Sequence, residues 1–340
     1  MEERTLQELS EVIQSSNINF LFGAGTSTPF LPLLGNIEKS LNEAKDETER
    51  EKQYKEYFNK VMLPNKKVID NSVSTDEYEQ TKKSYDDFFL ALSEVILQRK
   101  STILSKQVNL FTTNIDVLME TTLERLLIEY NDGFSGKFNP TFSSAHFKKS
   151  IQQRSLHFDH VSEIPVFNII KIHGSLTWQQ VDDKITFAHS LNHIDETTAS
   201  KTGNDFLEPY KKILVVNPEE SKYLESVLNL YYYELLRMYS SELEKENATL
   251  FIVGFSMDDK HIKEITLRAS KANPTLRIFV CCSQNSKEKM HTKLEVTQHP
   301  NIQILTPESE TDKFTLDCFT NQILNKVIGK KSNSDDEPKE

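Results

Sequence analysis

Short apolar runs recur along the chain, and most of them end on small or polar residues. They are Ile18–Phe22, Val108–Thr112, Val166–Ile172, Ile213–Val216, Thr249–Val253, Arg277–Cys281 and Ile302–Leu305. Runs this short and this rich in β-branched and aromatic side chains predict strands buried on both faces of a sheet. Between them the spacing changes to that of helices. Val117–Tyr130 places Met119, Leu123, Leu126, Leu127 and Tyr130 on one stripe, and Tyr223–Glu244, Asp258–Lys271 and Lys313–Ile328 continue the alternation. Strands separated by helices predict an α/β fold, a Rossmann-like doubly wound parallel sheet with helices on both faces.

Two stretches interrupt the alternation. Glu38–Lys100 is long, charged and helical in pattern, and predicts a helical insertion beside the sheet. Gly133–Glu163 opens with Gly133-Phe134-Ser135-Gly136 and reads as an irregular excursion between two strands. Residues 1–330 are expected to form a single domain. The last residues, Lys330–Glu340, are all polar or proline, and 331–340 are expected to be a disordered acidic tail. No regulatory module is legible after residue 330.

Composition narrows the class. The chain has 340 residues, 37% hydrophobic and 27% charged, with a formal net charge of -11. That is a soluble, core-forming composition. Its acidity argues against direct, sequence-independent nucleic-acid binding, which relies on cationic neutralisation of phosphates. Cys281, Cys282 and Cys318 make neither a disulfide framework nor a CxxC pair. The start, Met1-Glu2-Glu3-Arg4, has no signal-peptide core, and no run is long enough to span a membrane, so a cytoplasmic location is expected.

Ligands of doubly wound sheets bind beyond the carboxyl ends of the strands, so four polar clusters at those ends stand out. The first is Gly23-Ala24-Gly25-Thr26-Ser27, a glycine-spaced turn expected to present bare backbone N–H groups to a phosphate. Its plainer reading is a tight turn. The second is Thr112-Thr113-Asn114-Ile115-Asp116, in which Asn114 suits an N-cap and Asp116 a first helical turn, roles compatible with ligand contact. The third is Lys171-Ile172-His173-Gly174-Ser175, whose imidazole suits proton transfer near neutrality. Trp178 beyond it reads equally as pocket wall or core aromatic. The fourth is Gly254-Phe255-Ser256-Met257-Asp258, where Asp258 caps or begins the next helix and the turn could meet an adenine or ribose, or simply connect strand to helix. His157 and His160 share one helical face but have no third ligand, so no metal is expected. No GxxxxGK[ST] occurs, which removes P-loop phosphoryl transfer.

Together these clusters resemble the sirtuin family, and within it the NAD-consuming prokaryotic defence branch. Gly23–Ser27 resembles the family's GAGxS pyrophosphate loop, Thr113–Asp116 its TNxD motif, His173-Gly174 its catalytic His-Gly, and Gly254–Asp258 the late GFSxD-like turn. The strings Asp132–Gly136, Lys171–Trp178 and Val216-Asn217-Pro218 through Lys222 are similar to sirtuin-type NADases encoded beside HerA-type ATPases. The chain departs from the deacylases in two ways. Three cysteines cannot supply their zinc module of two cysteine pairs, and Thr28-Pro29-Phe30-Leu31-Pro32 replaces their GIPDFR-like string.

The resemblance implies cleavage of the nicotinamide–ribose bond of NAD, with NAD as substrate and no metal. It implies that Gly23, Ala24, Gly25, Thr26 and Ser27, with Thr113, Gly254, Phe255, Ser256 and Asp258, hold the dinucleotide. Asn114 would position water or a ribose hydroxyl, Asp116 would orient the nicotinamide end, and His173 would act as general base. It further implies a homo-oligomer with a HerA-type ATPase partner and a role in antiphage defence. Two other readings stand beside it: an NAD-dependent protein deacylase, and a catalytically silent nucleotide-binding scaffold.

Overall fold

The computed structural model describes residues 3–33, 40–41, 43–44, 46–99, 103–156, 159, 161–216, 227–309 and 313–329. The amino-terminal half contains α1 (Glu3–Ser15), β1 (Asn17–Phe22), α2 (Glu47–Tyr57), α3 (Leu63–Ile69), α4 (Asp76–Leu97), β2 (Gln107–Thr112) and α5 (Leu118–Leu126). Short strands follow: β3 (Tyr130–Asn131), β4 (Phe134–Ser135), β5 (Thr141–Phe142), β6 (Gln152–Arg154) and β7 (Val161–Glu163). Then come β8 (Val166–Lys171), β9 (Trp178–Val181), β10 (Lys184–Phe187), α6 (Glu196–Ser200), α7 (Asn204–Lys211) and α8 (Val227–Leu243). The chain continues with β11 (Ala248–Val253), α9 (Lys260–Ala272), β12 (Arg277–Cys281), α10 (Lys287–Lys293), β13 (Ile302–Leu305), α11 (Leu316–Phe319) and α12 (Asn325–Val327).

The central sheet runs β13-β12-β11-β1-β2-β8-β3, with every pairing parallel. The α/β expectation therefore holds, as does the helical character of the insertion, which supplies α2, α3 and α4. Alternate residues of the strands face opposite ways. Phe20, Phe22, Leu110, Ile169, Phe251 and Phe279 enter one core with α4 and α11; Leu21, Phe111, Ile170, Leu250, Ile252 and Val280 enter the other with α8, α9 and α10. Both faces are thus covered, which is why the strands read as nearly unbroken apolar runs.

On the first face three rings stack in register across neighbouring strands: Phe20 on Phe251 at 5.3 Å and Phe251 on Phe279 at 5.2 Å. Phe88 of α4 meets Phe20 and Phe22 edge-on, and Phe319 of α11 meets Phe20 and Phe251 likewise. A second in-register row is polar. Asn19, Asn109 and Asn168 occupy facing positions on β1, β2 and β8 and hydrogen-bond in sequence, Asn168 to Asn109 and Asn109 to Asn19, each at 2.9 Å. A one-residue slip would break all of these bonds, so the row favours a single register.

Several expected elements differ. Ile213–Val216 is not a strand of the sheet. Its residues Ile213, Leu214 and Val215 are buried, but as a segment that crosses the strand-end loop and forms one antiparallel bridge, Val215 to Gly174. Burial made the run apolar without sheet pairing. The place at the sheet edge goes to β3, because the helix expected to reach Tyr130 stops at Leu126. Leu127 adopts the left-handed conformation, and the N–H groups of Leu127 and Ile128 return to Glu124 and Leu123. This is a Schellman closure built without glycine, so the sequence gives no stop signal.

The excursion after Gly133 is more regular than expected. β4 and β5 join β10 and β9 in a four-stranded antiparallel sheet, and β6 pairs with β7. Trp178 is core to that small sheet, with its ring 4.6 Å from Phe142. The expected helix over Tyr223–Glu244 is seen as α8, and the one over Lys313–Ile328 begins at Leu316. Residues 157, 160, 217–226 and 330–340, which include both candidate histidines, Asn217, Pro218, Lys222 and the expected tail, lie outside the described residues.

Phe88→Ala removes the ring that braces Phe20 and Phe22 and leaves a cavity. The expected loss is about 3–5 kcal/mol of unfolding free energy, read by urea denaturation; a loss below ~1 kcal/mol would mean this face repacks freely.

Candidate active site

The chain leaves β1 toward β2 on one side of the sheet and later returns to β11 on the other, so β1 and β11 flank the topological switch point. A crevice beyond the carboxyl ends of these strands is where such folds bind ligands. The four polar clusters all lie at that edge, following β1, β2, β8 and β11.

The first and fourth clusters interlock. Ala24–Ser27 is one turn of 3-10 helix. Gly23 and Gly25 donate their N–H groups to the carbonyls of Val253 and Gly254, at 3.2 and 2.9 Å. These two amides are therefore not bare, contrary to expectation. The glycines serve close approach instead. A Cβ on Gly23 would stand 2.7 Å from the Gly254 carbonyl oxygen, and one on Gly25 would stand 2.7 Å from the Gly254 Cα. Gly254 itself has φ +65°, and a Cβ there would sit 2.6 Å from the Thr26 nitrogen. No other residue type satisfies both the contact and the backbone angle.

The second cluster closes on the first. Asn114, 8% exposed, directs Nδ2 at the Gly23 carbonyl, Thr26 Oγ1 and Ser27 Oγ, at 3.0, 3.1 and 3.2 Å. Ser27 donates its hydroxyl to Asp116 Oδ2 at 2.6 Å. Neither Asn114 nor Asp116 caps a helix: α5 begins at Leu118 with Val117 at its N-cap, and Asp116 Oδ1 accepts from the Leu118 N–H. The Thr112 hydroxyl bonds the Asn114 N–H, and the Thr113 N–H bonds the Phe22 carbonyl, so both residues hold the loop against β1.

Three residues to which the sequence analysis gave no role support this cluster. Tyr85 of α4 donates its buried hydroxyl to Thr26 Oγ1 at 3.1 Å. Burial, with Asp116 nearby, pushes its pKa up, so it stays a donor. Asn65 of α3 accepts the Val117 N–H at 2.9 Å. Lys171, the last residue of β8 and 4% exposed, bonds the Asp116 carbonyl and pairs with Glu120 at 3.1 Å. Burial raises the Glu120 pKa, and the Lys171 charge opposes that rise. The available signals were a tyrosine among apolar helix positions and a lysine closing an apolar run, since buried polar groups of this kind need partners.

The third cluster reaches over the crevice. His173 is held by its backbone, whose carbonyl accepts from Val216 N–H at 2.8 Å, and by Gly174 at φ +78°, where a Cβ would meet the Leu214 oxygen at 2.1 Å. Its Nε2 lies 3.1 Å from Oδ2 of Asp259, and both side chains are 19% exposed. The Tyr232 ring flanks the imidazole at 6.1 Å between centroids. Asp259, not Asp258, is the N-cap of α9: its Oδ1 accepts from Ile262 N–H at 3.0 Å. Burial disfavours ionisation of Asp259, but His173, the Ile262 amide and His261 outweigh it and hold the carboxyl below its ordinary range. Asp258 points to Lys293, which also bonds the Ser256 carbonyl. Phe255 is half-buried over Gly23 and Ser256 is exposed at the rim.

A parallel sheet covered by helices on both faces, with polar loops gathered at its switch point, defines a doubly wound α/β protein. The chain belongs to the SIR2-like domain family, whose model matches residues 108–305. Among solved structures, one described as a Sir2 mutant with a p53 peptide and NAD aligns with a TM-score of 0.47 and 11% identity, over 96% of this chain and 98% of that one. No curated protein matches the chain. Among the described residues no group of three or more His, Cys, Asp or Glu could hold a metal ion, and no helix is long and apolar enough to cross a membrane.

Gly254→Ala forces a left-handed residue to carry a Cβ against Thr26. The expected cost is about 1–3 kcal/mol, seen as a lowered melting temperature. Unchanged melting would mean that the two turns do not need this contact.

Proposed function

We propose that this chain hydrolyses the nicotinamide–ribose bond of NAD, giving nicotinamide and ADP-ribose. Family membership supports NAD as the ligand. The observation that carries the reaction is the convergence at one sheet edge of a hydrogen-bonded Ser27–Asn114–Asp116 group and an imidazole, His173, that is neither buried nor loose.

The chemistry asks little of the protein at the leaving group. The pair of electrons in the breaking C–N bond returns to the nicotinamide ring nitrogen and neutralises its positive charge, so no acid is needed. The difficulty lies in the oxocarbenium-like ribosyl cation and in delivering water to it. In the proposed assignment the Gly23–Ser27 turn and the Gly254–Asp258 turn hold the pyrophosphate and adenosine parts. Asn114 and Asp116, fixed through Thr26 and Ser27, set the nicotinamide ribose. His173 takes a proton from the attacking water and passes it to solvent. The products then balance as nicotinamide, ADP-ribose and one proton.

The cysteines favour hydrolysis over acyl-lysine recognition. Cys281 and Cys282 are buried at the end of β12, and burial raises both thiols, Cys282 to about 11. They are core residues of the main sheet, not members of a peptide-shaping module. Uncontrolled NAD hydrolysis would exhaust a cell. We therefore propose control in trans, through self-association and a HerA-type ATPase partner, in a defence role that depletes NAD.

His173→Ala and Asn114→Ala should each lower nicotinamide release by about 100- to 10,000-fold, measured by chromatography of NAD reactions with and without the ATPase. His173→Ala should retain the wild-type melting temperature. Release that requires an acylated peptide would instead favour the deacylase, and tight NAD binding without turnover in every combination would favour a scaffold. Full activity of an isolated monomer, established by sizing, would remove the proposed control in trans.

A further inference from the structure

Asp259 lies outside every motif that pointed to the site, yet it is the polar partner of the His173 ring. The two residues follow β11 and β8, which are separated in the sheet by β1 and β2. Three strand spacings are about 14 Å, so the direct 3.1 Å contact bridges the loops of two strands that are not neighbours, across the ends of β1 and β2. The contact therefore spans the mouth of the crevice, above the Gly23 turn and Asn114.

We infer that Asp259 is a positioning residue for His173, accepting the Nε2 proton and so leaving Nδ1 as the proton-accepting atom. This rests on the hydrolytic reading above. A neutral imidazole has one donor and one acceptor nitrogen, and a carboxylate can only accept. Pairing with Asp259 thus fixes the tautomer as well as the ring plane. In the reaction, a water O–H bond breaks, its proton goes to Nδ1, its oxygen bonds the anomeric carbon, and the C–N electron pair leaves with nicotinamide. The positive charge that His173 then carries faces the Asp259 carboxylate.

The carboxyl is itself immobilised. One oxygen caps α9 through Ile262 N–H while the other meets the ring. The cap sits at a helix amino end, whose partial positive charge favours the ionised form. Burial of four-fifths of each side chain strengthens the contact by excluding water. The backbone of His173 is pinned separately through Val216 and Gly174, so Asp259 fixes ring rotation rather than chain position.

The test uses Asp259→Asn and Asp259→Glu in the full chain. Asparagine keeps the helix cap and the size of the side chain, but its amide can donate to the ring and favour the opposite tautomer. The His173 ring is read by 15N–1H NMR on histidine-labelled protein, with His173→Gln identifying its signals. The wild type should show protonated Nε2 and unprotonated Nδ1, and Asp259→Asn should lose that pattern. Nicotinamide release should fall by about 100- to 10,000-fold in kcat with KM nearly unchanged, and Asp259→Glu should recover both the tautomer and most of the rate. An unchanged tautomer in Asp259→Asn would overturn the inference whether or not the protein hydrolyses NAD. So would a rise in kcat/KM, which would make the contact a latch that substrate must break. Absence of any hydrolysis by the wild type, both alone and with the ATPase, would count against the proposed function, while the NMR pattern would still decide the pairing.

Discussion

The site depends on two backbone turns held at main-chain contact. Gly25 donates to Gly254, Gly23 donates to Val253, and each of the three glycines lacks the one atom that would push the turns apart. This contact joins the loops after β1 and β11, the two strands that flank the switch point. It fixes the two turns against each other and leaves only side chains and the outer faces of the turns free to meet anything else. A glycine pattern of this kind is usually read as room for a phosphate. Here the same absence of Cβ first serves protein against protein, and any ligand approaches a surface that is already assembled.

The insertion between β1 and β2 supports the Gly23 turn. Tyr85, Asn65 and Tyr57 reach from α4, α3 and α2 toward the same group of residues: Tyr85 bonds Thr26, Asn65 bonds the Val117 amide, and Asp116 lies close enough to Tyr57 to help burial push its hydroxyl up. Phe88, one turn after Tyr85 on α4, packs on Phe20 and Phe22 of β1. The helix that stabilises the central strand therefore also orients the hydroxyls that follow it. Packing and site geometry share one element, and damage to α4 would be felt in both.

Much of this was legible in the residues. A strand buried on both faces must be apolar throughout, so six of the seven expected strands fall close to their predicted bounds. The exception, Ile213–Val216, shows the limit: burial dictates an apolar run, but pairing is a matter of topology that local pattern does not carry. The missing stop at Leu127 has the same character, since a leucine in the left-handed region announces nothing. In the site, Gly23, Asn114, Asp116 and Gly254 were visible because short polar residues after an apolar run are conspicuous. Asp259 was not, because Asp258 precedes it and either could cap the helix. Tyr85 lay in a stretch read only as a charged helical insertion, and Lys171, though quoted in the third cluster, was given no partner. Their polar atoms find partners far away in sequence, a pairing that only the fold supplies.

The contacts form a closed circuit around the crevice. The Gly23 turn is bonded to Asn114 and Asp116; the Asp116 carbonyl is bonded to Lys171; His173 follows Lys171 by two residues and meets Asp259; and Asp259 lies five residues beyond Gly254, which grips the Gly23 turn again. Four separate strand ends are thereby referenced to one another rather than to the sheet alone. In such a circuit the position of the imidazole is determined from two directions, through Lys171 on one side and Asp259 on the other. Catalytic geometry tolerates errors of only about half an ångström, which single loops rarely hold. A ring of mutually bonded loops holds His173 from both sides, its backbone through Val216 and its ring through Asp259, while the side chain stays 19% exposed.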